Sequence, residues 1–303
     1  MSRISGPTVT QRRLALELRR LREHSRLTGD EVATRLSWST AKVSRLENAR
    51  TGARVSDVAD LLKLYGVQGQ RFQELVTLAT EATRRGWWED YPALTPGYAE
   101  LISLESEADA ALLWDTMLVP GLLQAEGYAR HIVGAWNIVA TKTPAEIERW
   151  IEVRLRRQHV LTRDSPLVID AILDESVLHR KVGTARVMAE QIDHLRTVSA
   201  LPTVNLRILP LDGVHPILAT SFALLEFAPF HEVTFPDIVH IESLTFSYLE
   251  NEADTHMYRL AHRSMSEVCL PVAETQALLM ALRDRWLARD EDDSPRADPG
   301  RNS

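Results

Sequence analysis

The chain has 303 residues, of which 45% are hydrophobic and 25% are charged. These values are ordinary for globular proteins and exclude a largely disordered, collagen-like or low-complexity chain, and the length predicts two domains. The single cysteine, Cys269, excludes an intramolecular disulfide framework and a multi-cysteine zinc site. The sequence has no 18-residue apolar run, and its charged N-terminal segment lacks a signal-peptide core. We therefore expect a soluble, cytoplasmic protein with no membrane partner.

Charge is distributed unevenly along the sequence. Residues 1–86 contain 16 basic and 9 acidic side chains, a charge of +7, whereas the remainder contains 19 basic and 33 acidic side chains, a charge of −14. A basic N-terminal part joined to an acidic body predicts a polyanionic partner for the first part only. Only four of the 35 basic residues are lysines. Because such a bias usually reflects genome composition, the abundance of arginine alone is not evidence of phosphate binding.

The first 86 residues are predicted to be helical. Apolar residues recur at helical spacing, Thr28 and Glu31 form a capping box, and Ser39 is a good N-cap residue. After a disordered lead at 1–9, we expect helices at 11–25, 29–36, 40–48, about 56–65 and about 70–85. Five short helices within about 75 residues predict a compact all-α domain at 10–86.

The pattern beyond residue 86 predicts a connector and a second domain of a different class. Turn residues and aromatics mark the connector at 87–97. Helical stretches then alternate with β-like apolar runs separated by Pro and Gly. We expect helices near 98–114, 123–136, 144–163, 175–181, 184–199, 251–267 and 272–288, and strands at 167–173, 204–209, 221–227 and 238–242. This gives a mixed α/β domain at 98–289, followed by a disordered acidic tail at 290–303.

Residues 28–48 have the spacing of a helix-turn-helix motif, in which the second helix enters the major groove of DNA. Ala33 is small where the two helices must cross closely. The apolar contacts between the helices are assigned to Val32, Leu36, Val43 and Leu46. Small polar and basic side chains occupy the outward face of the second helix, namely Thr40, Ala41, Lys42, Ser44 and Arg45. The alternative for Arg45 is an ion pair with Glu47 or Glu31.

The run TGDEVATRLSWSTAKVSRLENART, residues 28–51, resembles the Cro/C1-type (Xre) helix-turn-helix family. The resemblance implies that Thr40, Ala41, Ser44 and Arg45 face base edges, with Lys42 near them. Asn48 and Arg50 follow at the helix end, where phosphates would lie. Gly29 stands where the family often has a Gln that contacts DNA. The expected DNA-binding residues are Thr28, Ser39, Thr40, Ala41, Lys42, Ser44, Arg45, Asn48 and Arg50.

A second resemblance covers roughly residues 98–286. The stretches VPGLLQAEGYA (119–129), RLRRQ (154–158), ILDESVL (172–178) and HIE (240–242) look like a C-terminal domain of unknown function. This domain is common in actinobacterial Xre regulators, some of which are labelled antitoxin-like. The resemblance implies a regulator that is often encoded beside a small partner protein and is tied to development and antibiotic production.

An acidic cluster in the second domain is the main candidate for chemistry. Glu175 and His179 are four residues apart and so share a helix face, with Asp174 and Asp170 nearby, as a metal site or an acid–base pair would require. The favoured interpretation is structural, because Asp174 is placed to cap a helix and Glu175 to favour its first-turn dipole. No glycine-rich phosphate loop, GxSxG or HExxH motif is present. We therefore expect neither an enzyme nor a metal or cofactor site.

A basic group on a predicted helix is the candidate for a ligand site. Arg154 and Arg157 are three residues apart in an otherwise acidic domain, and internal salt bridges, with Glu152 close by, are the default interpretation. The alternative is an anion or ligand site between this helix and the strands, with His215 at its rim. We include Arg154, Arg157 and His215 as candidate ligand-binding residues.

These features together predict a sequence-specific, DNA-binding transcriptional regulator. One domain of this size makes few base contacts, so we expect a homodimer on paired half-sites. The second domain would supply dimer contacts and respond to a small-molecule ligand or to a small protein encoded by a neighbouring gene. Two alternatives stay open: an antitoxin-like protein that binds a partner and only autoregulates its operon, and an enzyme that uses the Asp174, Glu175 and His179 cluster.

Overall fold

A computed structural model describes residues 7–138, 142–242 and 246–293. The chain divides into two compact units. The first comprises Met1–Ala108 and Phe227–Pro236, and the second comprises Asp109–Glu226 and Asp237–Ser303. A helical N-terminal region is thus followed by a domain with a mixed six-stranded sheet and helices, which confirms the predicted change of class along the chain.

Helices make up most of the described part of the first unit. They are α1 (Val9–His24), α2 (Gly29–Leu36), α3 (Thr40–Glu47), α4 (Val55–Leu64), α5 (Gly69–Glu81) and α6 (Pro96–Glu107), with a 3₁₀ turn at Trp87–Asp90 before α6. At the start of four of these helices, a side-chain hydroxyl accepts a hydrogen bond from a backbone amide of the first turn. The residues with these hydroxyls are Thr8, Thr28, Ser39 and Thr95. Such N-caps satisfy backbone donors that the helix itself leaves unpaired.

The connection between α2 and α3 is a tight turn. Ser37 adopts the left-handed conformation, with φ 55° and ψ 40°. The next amide, that of Trp38, donates back to the Ala33 carbonyl at 2.8 Å. These bonds satisfy the last carbonyls of α2, as a C-terminal cap does, and let α3 start at Thr40. The turn therefore fixes α3 close behind α2, as the sequence predicts.

One apolar core holds the helices of the first unit together. Its members are almost fully buried and include Leu14, Leu18, Val32, Val43, Leu61, Leu62, Leu75 and Leu78. Val233, only 3% exposed, belongs to the same core. Phe230 packs against it from the same segment. Residues 227–236 are therefore part of the first unit even though they follow a strand of the second.

The compact units do not divide the chain at the predicted boundaries of 10–86, 87–97 and 98–289. The α6 helix belongs to the first unit, because the Glu107 carboxylate accepts from the backbone amides of Val9 at 3.0 Å and Thr10 at 2.6 Å. That carboxylate binds the orphan amides at the start of α1. Of the predicted disordered lead at 1–9, residues 1–6 lie outside the described residues, whereas Thr8 caps α1 and Val9 begins it.

A single mixed sheet lies at the centre of the second unit. Its strands are β1 (Ala110–Asp115), β2 (Val168–Asp174), β3 (Val204–Leu209), β4 (Phe222–Glu226), β5 (Ile238–Glu242) and β6 (Phe246–Leu249). The spatial order is β3-β2-β1-β4-β5-β6. The pairings β1–β2 and β2–β3 are parallel, and the remaining three are antiparallel. β1 is thus the strand at which the sheet changes from parallel to antiparallel.

The predicted helix at 98–114 is wrong in its second half, since the chain leaves α6 after Glu107 and enters β1 at Ala110. Alanine and leucine favour helix locally. Pairing with β2 on one side and β4 on the other outweighs that preference. The β6 strand, like β1, was not predicted as a strand. The other four strands lie within one residue of their predicted ends.

Helices and 3₁₀ turns surround the sheet of the second unit. The helices are α7 (Glu126–Ala135), α8 (Pro144–Arg157), α9 (Ser176–His179), α10 (Ala185–Val198), α11 (Glu252–Ser266) and α12 (Val272–Asp293), and 3₁₀ turns cover Gly121–Leu123, Trp136–Ile138 and Gln158–Leu161. The α12 helix continues into the predicted tail at 290–303, of which residues 294–303 lie outside the described residues. Within the described part of the chain, no helix is both long and apolar enough to cross a bilayer.

Candidate functional site

Two hydroxyls of the expected DNA-binding set start helices. The Thr28 hydroxyl accepts from the Glu31 amide at 3.2 Å, and the Thr28 amide donates to the Glu31 carboxylate at 2.7 Å. This is the predicted capping box, and its hydrogen bonds lower the pKa of Glu31. The Ser39 hydroxyl accepts from the Lys42 amide at 3.2 Å and caps α3. Thr28 and Ser39 therefore fix the two helices in place, and both side chains stay exposed at the surface.

The outward face of α3 carries the remaining predicted base-reading residues. Thr40, Ala41, Ser44 and Arg45 are all exposed. The Thr40 hydroxyl donates to the Asp30 carboxylate on α2 at 2.7 Å, which links the two helices. Ala41 and Ser44 are short, so they allow a close approach of the helix to a groove. The arrangement gives one row of small side chains with a single long basic side chain, Arg45.

Arg45 carries a charge with no carboxylate partner among the described residues. The two acidic side chains proposed as its alternatives are engaged elsewhere: Glu47 pairs with Arg22 at 2.7 Å, and Glu31 is held by Thr28. Arg50 is exposed and likewise forms no ion pair within the described part of the chain. Both guanidiniums are therefore accessible to an anionic partner such as DNA.

Lys42 is held inside the motif rather than on its outward face. Its ammonium lies 2.8 Å from a carboxylate oxygen of Asp57 on α4 and 3.6 Å from the centre of the Trp38 ring. The side chain is 32% exposed. A cation held by a carboxylate and an aromatic face ties the turn to α4. Of the expected DNA-binding residues, Lys42 is the one whose charge is already paired.

The C-terminal end of α3 presents polar groups. Asn48 is exposed, and its side-chain amide donates to the Ser44 carbonyl at 2.7 Å. Ala49 then adopts a positive φ of 50°, and the Arg50 amide returns to the Arg45 carbonyl at 2.9 Å. These bonds end the helix and leave the Arg50 side chain in solvent, where the sequence predicts a phosphate contact.

The second unit contains a cavity of about 640 Å³ lined by all three predicted ligand-binding residues, Arg154, Arg157 and His215. The two arginines are one helical turn apart on α8, and His215 lies in the loop before β4. The apolar part of the wall includes Trp114, Leu118, Ile132 and Trp136. The structure thus brings together side chains that are as many as 61 positions apart in the sequence.

Arg154 is paired with a neutral group. Its Nη1 donates to the Gln124 side-chain oxygen at 2.8 Å, and its buried Nε makes no hydrogen bond with the described residues. Gln124 is only 2% exposed and donates in turn to the Val119 carbonyl at 2.7 Å. The predicted ion pair with Glu152 is absent for Arg154 among the described residues. A buried amide therefore positions this guanidinium without neutralising its charge.

Arg157 is almost fully buried, at 7% exposure, and packs against the backbone of Gly121. A Cβ at that glycine would lie 3.0 Å from Arg157 Nη2. Gln158 donates to the carbonyls of Gly121 at 3.0 Å and Gln124 at 2.8 Å, and so fixes the same turn against α8. The absence of a side chain at Gly121 is what allows the guanidinium to lie there.

Asp115 is a cavity residue that the sequence did not indicate. Burial, and secondarily the charge of Glu242, raise its pKa to about 8, against the opposing effects of Arg157 and a hydrogen bond with Ser221. The carboxyl is therefore mostly protonated at neutral pH. It was missed because β1, which it ends, was predicted to be helical. Recognising a strand there would have placed an acidic residue at the C-terminal end of that strand.

The acidic cluster at the end of β2 makes structural contacts. Asp174 accepts from the Ser176 amide at 2.9 Å and lies 3.1 Å from His215 Nε2. Glu175 lies 2.9 Å from His179 Nε2, and its other oxygen accepts from the Leu211 amide at 3.0 Å. No group of three or more His, Cys, Asp or Glu side chains is arranged to hold a metal ion in the part of the chain that the structure describes.

Asp170, the fourth member of that predicted cluster, belongs to a different contact. Its carboxylate pairs with Arg207 on the neighbouring strand β3 at 2.6 Å. Arg207 lies two residues beyond Asn205, the register partner of Asp170 on β3, so this diagonal contact ties β2 to β3. Asp170 therefore plays no part in the cavity lined by Asp174 and His215.

Comparison with known families gives two matches. A helix-turn-helix domain matches residues 13–75, and a domain of unknown function, DUF5753, matches residues 98–281, more than half of the chain. The first match covers the α2–α3 motif and indicates a DNA-binding regulator. The second covers every residue that lines the cavity, including Arg154, Arg157 and His215. No curated protein and no solved structure matches the chain.

Proposed function

Because the chain belongs to the family of the domain of unknown function DUF5753 and carries a helix-turn-helix domain, we propose that it is a sequence-specific transcriptional regulator of the Cro/C1 type. Its N-terminal helices bind double-stranded DNA, and the second domain controls that binding in response to a small ligand or a small partner protein.

The exposed face of α3 is the observation that carries this proposal. Small side chains at Thr40, Ala41 and Ser44 surround Arg45, whose guanidinium has no carboxylate partner among the described residues. A bidentate arginine on a guanine edge is the commonest specific contact in the major groove. Arg45 would read a base, and Asn48 and Arg50 would contact phosphates and set the register of the helix.

The regulator is proposed to bind as a homodimer. One recognition helix contacts only a few base pairs, and two half-sites one helical turn apart, about 10 base pairs, combine the affinities of two motifs. The net charge of +7 on residues 1–86 favours a polyanion, whereas the charge of −14 on the remainder does not. DNA binding is therefore assigned to residues 1–86, which carry the basic helices of the first unit.

The protein is proposed to be a regulator without enzymatic activity. The candidate acid–base residues are engaged in local structure, since Asp174 holds the Ser176 amide and Glu175 holds the Leu211 amide. A carboxylate that accepts a hydrogen bond from a backbone amide at the end of a strand stabilises the turn that follows. The cavity of the second unit is proposed to serve control rather than catalysis.

Selection from a pool of random DNA duplexes tests the proposal. The full chain is incubated with the pool at moderate salt, and bound duplexes are amplified and sequenced. We expect one enriched motif with two related half-sites. An Arg45→Ala chain selected in parallel should lose the preference at one position of each half-site, while an Arg84→Ala chain, changed at an exposed residue near the end of α5, should select the original motif. A pool that stays random with the unaltered chain would contradict the proposal.

A further inference from the structure

We propose that the cavity of the second unit binds a small organic anion with an apolar body, whose acidic group is held by Arg154 and Arg157. This inference deepens the proposed control through the second domain and rests on it. The cavity lies entirely within residues of the second unit.

The size and walls of the cavity fit a small molecule. A volume of about 640 Å³ is within the range of small-molecule sites. Trp114, Ile132 and Trp136 supply flat and branched apolar surface, and the first two are 2% and 8% exposed. Burying the apolar body of a ligand against such surface favours binding, because it removes apolar area from water. The walls thus favour a ligand with an aromatic or aliphatic body over a compact, fully polar one.

The arginine side of the cavity favours an anionic ligand. Arg154 lies against the neutral Gln124 oxygen and keeps an unbonded, buried Nε. A partly buried guanidinium paired only with an amide has its desolvation incompletely compensated. A carboxylate offers it two acceptor oxygens in the geometry that arginine prefers. Arg157, one turn further along α8, adds a second positive charge to the same wall.

The acidic side chains around the cavity do not form an equivalent site for a cation. Asp174 already contacts His215 and the Ser176 amide. Asp115 is held by Ser221, and burial raises its pKa to about 8, so that it is mostly uncharged at neutral pH. Glu242 is exposed at the rim. Among the residues that line the cavity, Arg154 and Arg157 supply the positive charge, and the protonated Asp115 can itself donate to a bound anion.

The wall that presents the arginines is rigidly built. Gln124 positions Arg154, and the Gly121 backbone receives Arg157 with no room for a side chain. Gln158 bonds the carbonyls of both Gly121 and Gln124. Binding groups fixed by their neighbours lose little conformational freedom when a ligand arrives, which is how preformed sites gain affinity.

A matched series of probes tests the inference on the full chain without DNA. The probes are 4-phenylbutyrate, 4-phenylbutyramide and 4-phenylbutylamine, which share one apolar body and differ in the charge of the head group. Binding is followed by the thermal midpoint and by tryptophan fluorescence, since Trp114 and Trp136 line the cavity. We expect the carboxylate to bind at least about tenfold more tightly than the amide and the amine to bind most weakly.

Two variants assign the effect to the arginine wall. Arg154→Gln should lower the affinity for the carboxylate about tenfold and leave that for the amide unchanged. Arg156→Gln, at an exposed arginine of the same helix that does not line the cavity, should change neither. If Arg154→Gln fails to fold, the comparison of the three probes on the unaltered chain still decides the matter.

The results that would overturn this inference differ from those that would overturn the proposed function. Equal binding of carboxylate and amide, tightest binding of the amine, or no binding of any probe at millimolar concentration would each overturn the inference. A chain that selects a DNA motif but binds no probe disproves this inference alone. A chain that binds the carboxylate but selects no DNA disproves the proposed function alone.

Discussion

Arg13 on α1 donates from Nη2 to the backbone carbonyl of Ala228 at 2.9 Å, a residue 215 positions further along the chain. Arg71 on α5 bonds the carbonyl of His231 in the same segment. Arg12 lies over the ring of Phe235, 5.1 Å from its centre. The segment Phe227–Pro236 is therefore bound to the helices of the first unit by three arginines as well as by Val233 in the core.

The first prediction concerns Val233, which is 3% exposed in the core of the DNA-binding helices. Val233→Ala removes buried methyl groups and should lower the free energy of unfolding of the first unit by about 2 kcal/mol. Val214→Ala, at a residue that is 77% exposed, serves as the control and should change it by less than about 0.5 kcal/mol. Urea denaturation followed by circular dichroism measures both. Equal effects would mean that Val233 does not support the helices.

The second prediction concerns the specific contact of Arg45. Arg45→Ala should weaken binding to the selected DNA motif by about 1–3 kcal/mol and binding to random duplex much less, because a base contact carries specificity. Arg84→Ala, again the exposed control, should alter neither. Fluorescence anisotropy with labelled duplexes gives both affinities. An equal loss on both duplexes would assign Arg45 to the phosphates.

The third prediction concerns Arg50 and salt. The logarithm of affinity should fall linearly with the logarithm of salt concentration, with a slope of about −0.9 for each phosphate neutralised. Arg50→Ala should make this slope shallower by about 1 and weaken binding to all duplexes alike. The Arg45→Ala chain should bind random duplex nearly as tightly as the unaltered chain does at every salt concentration of the same series. An unchanged slope in Arg50→Ala would remove that residue from the phosphate contacts.

The fourth prediction concerns Lys42, whose partners Asp57 and Trp38 assign it a structural role. Lys42→Ala should destabilise the first unit by about 0.5–1 kcal/mol, a modest value because the pair is partly exposed. The base preference of the selected motif should stay the same. Thermal unfolding and repeated duplex selection supply the two measurements. A changed base preference with unchanged stability would return Lys42 to the DNA-reading face.

Local signals explain what the sequence predicts well. The caps at Thr28 and Ser39 act within three residues, so the limits of α2 and α3 could be read directly. β3 and β5 were predicted with their observed ends because branched and apolar residues are bounded by turn residues. Such elements need no knowledge of distant partners.

Distant contacts explain what could not be predicted. β1 has a helix-favouring sequence and becomes a strand through its pairing with β2 and β4. The contact of Glu107 with Val9 joins residues 98 positions apart. Arg154 and Arg157 were recognised as a basic group, but the cavity that joins them to His215 depends on the folded sheet. Periodicity and caps do not encode these pairings.

The last prediction follows from the pKa of Asp115, which burial raises to about 8 in the folded chain. An aspartate in the unfolded chain titrates near pH 4. Between these pH values the folded chain keeps a proton that the unfolded chain has released, so this residue lowers stability as the pH rises from about 4 to about 8 and by a constant amount above that. Glu242 strengthens the effect, and Arg157 and Ser221 oppose it.

Asp115→Asn, which cannot ionise, should therefore be more stable than the unaltered chain at pH 9, with the difference shrinking towards pH 4. Asp164→Asn, at an exposed aspartate, should show no such trend. Denaturation curves across this pH range measure the difference directly, and a difference that is constant with pH would show that Asp115 titrates normally.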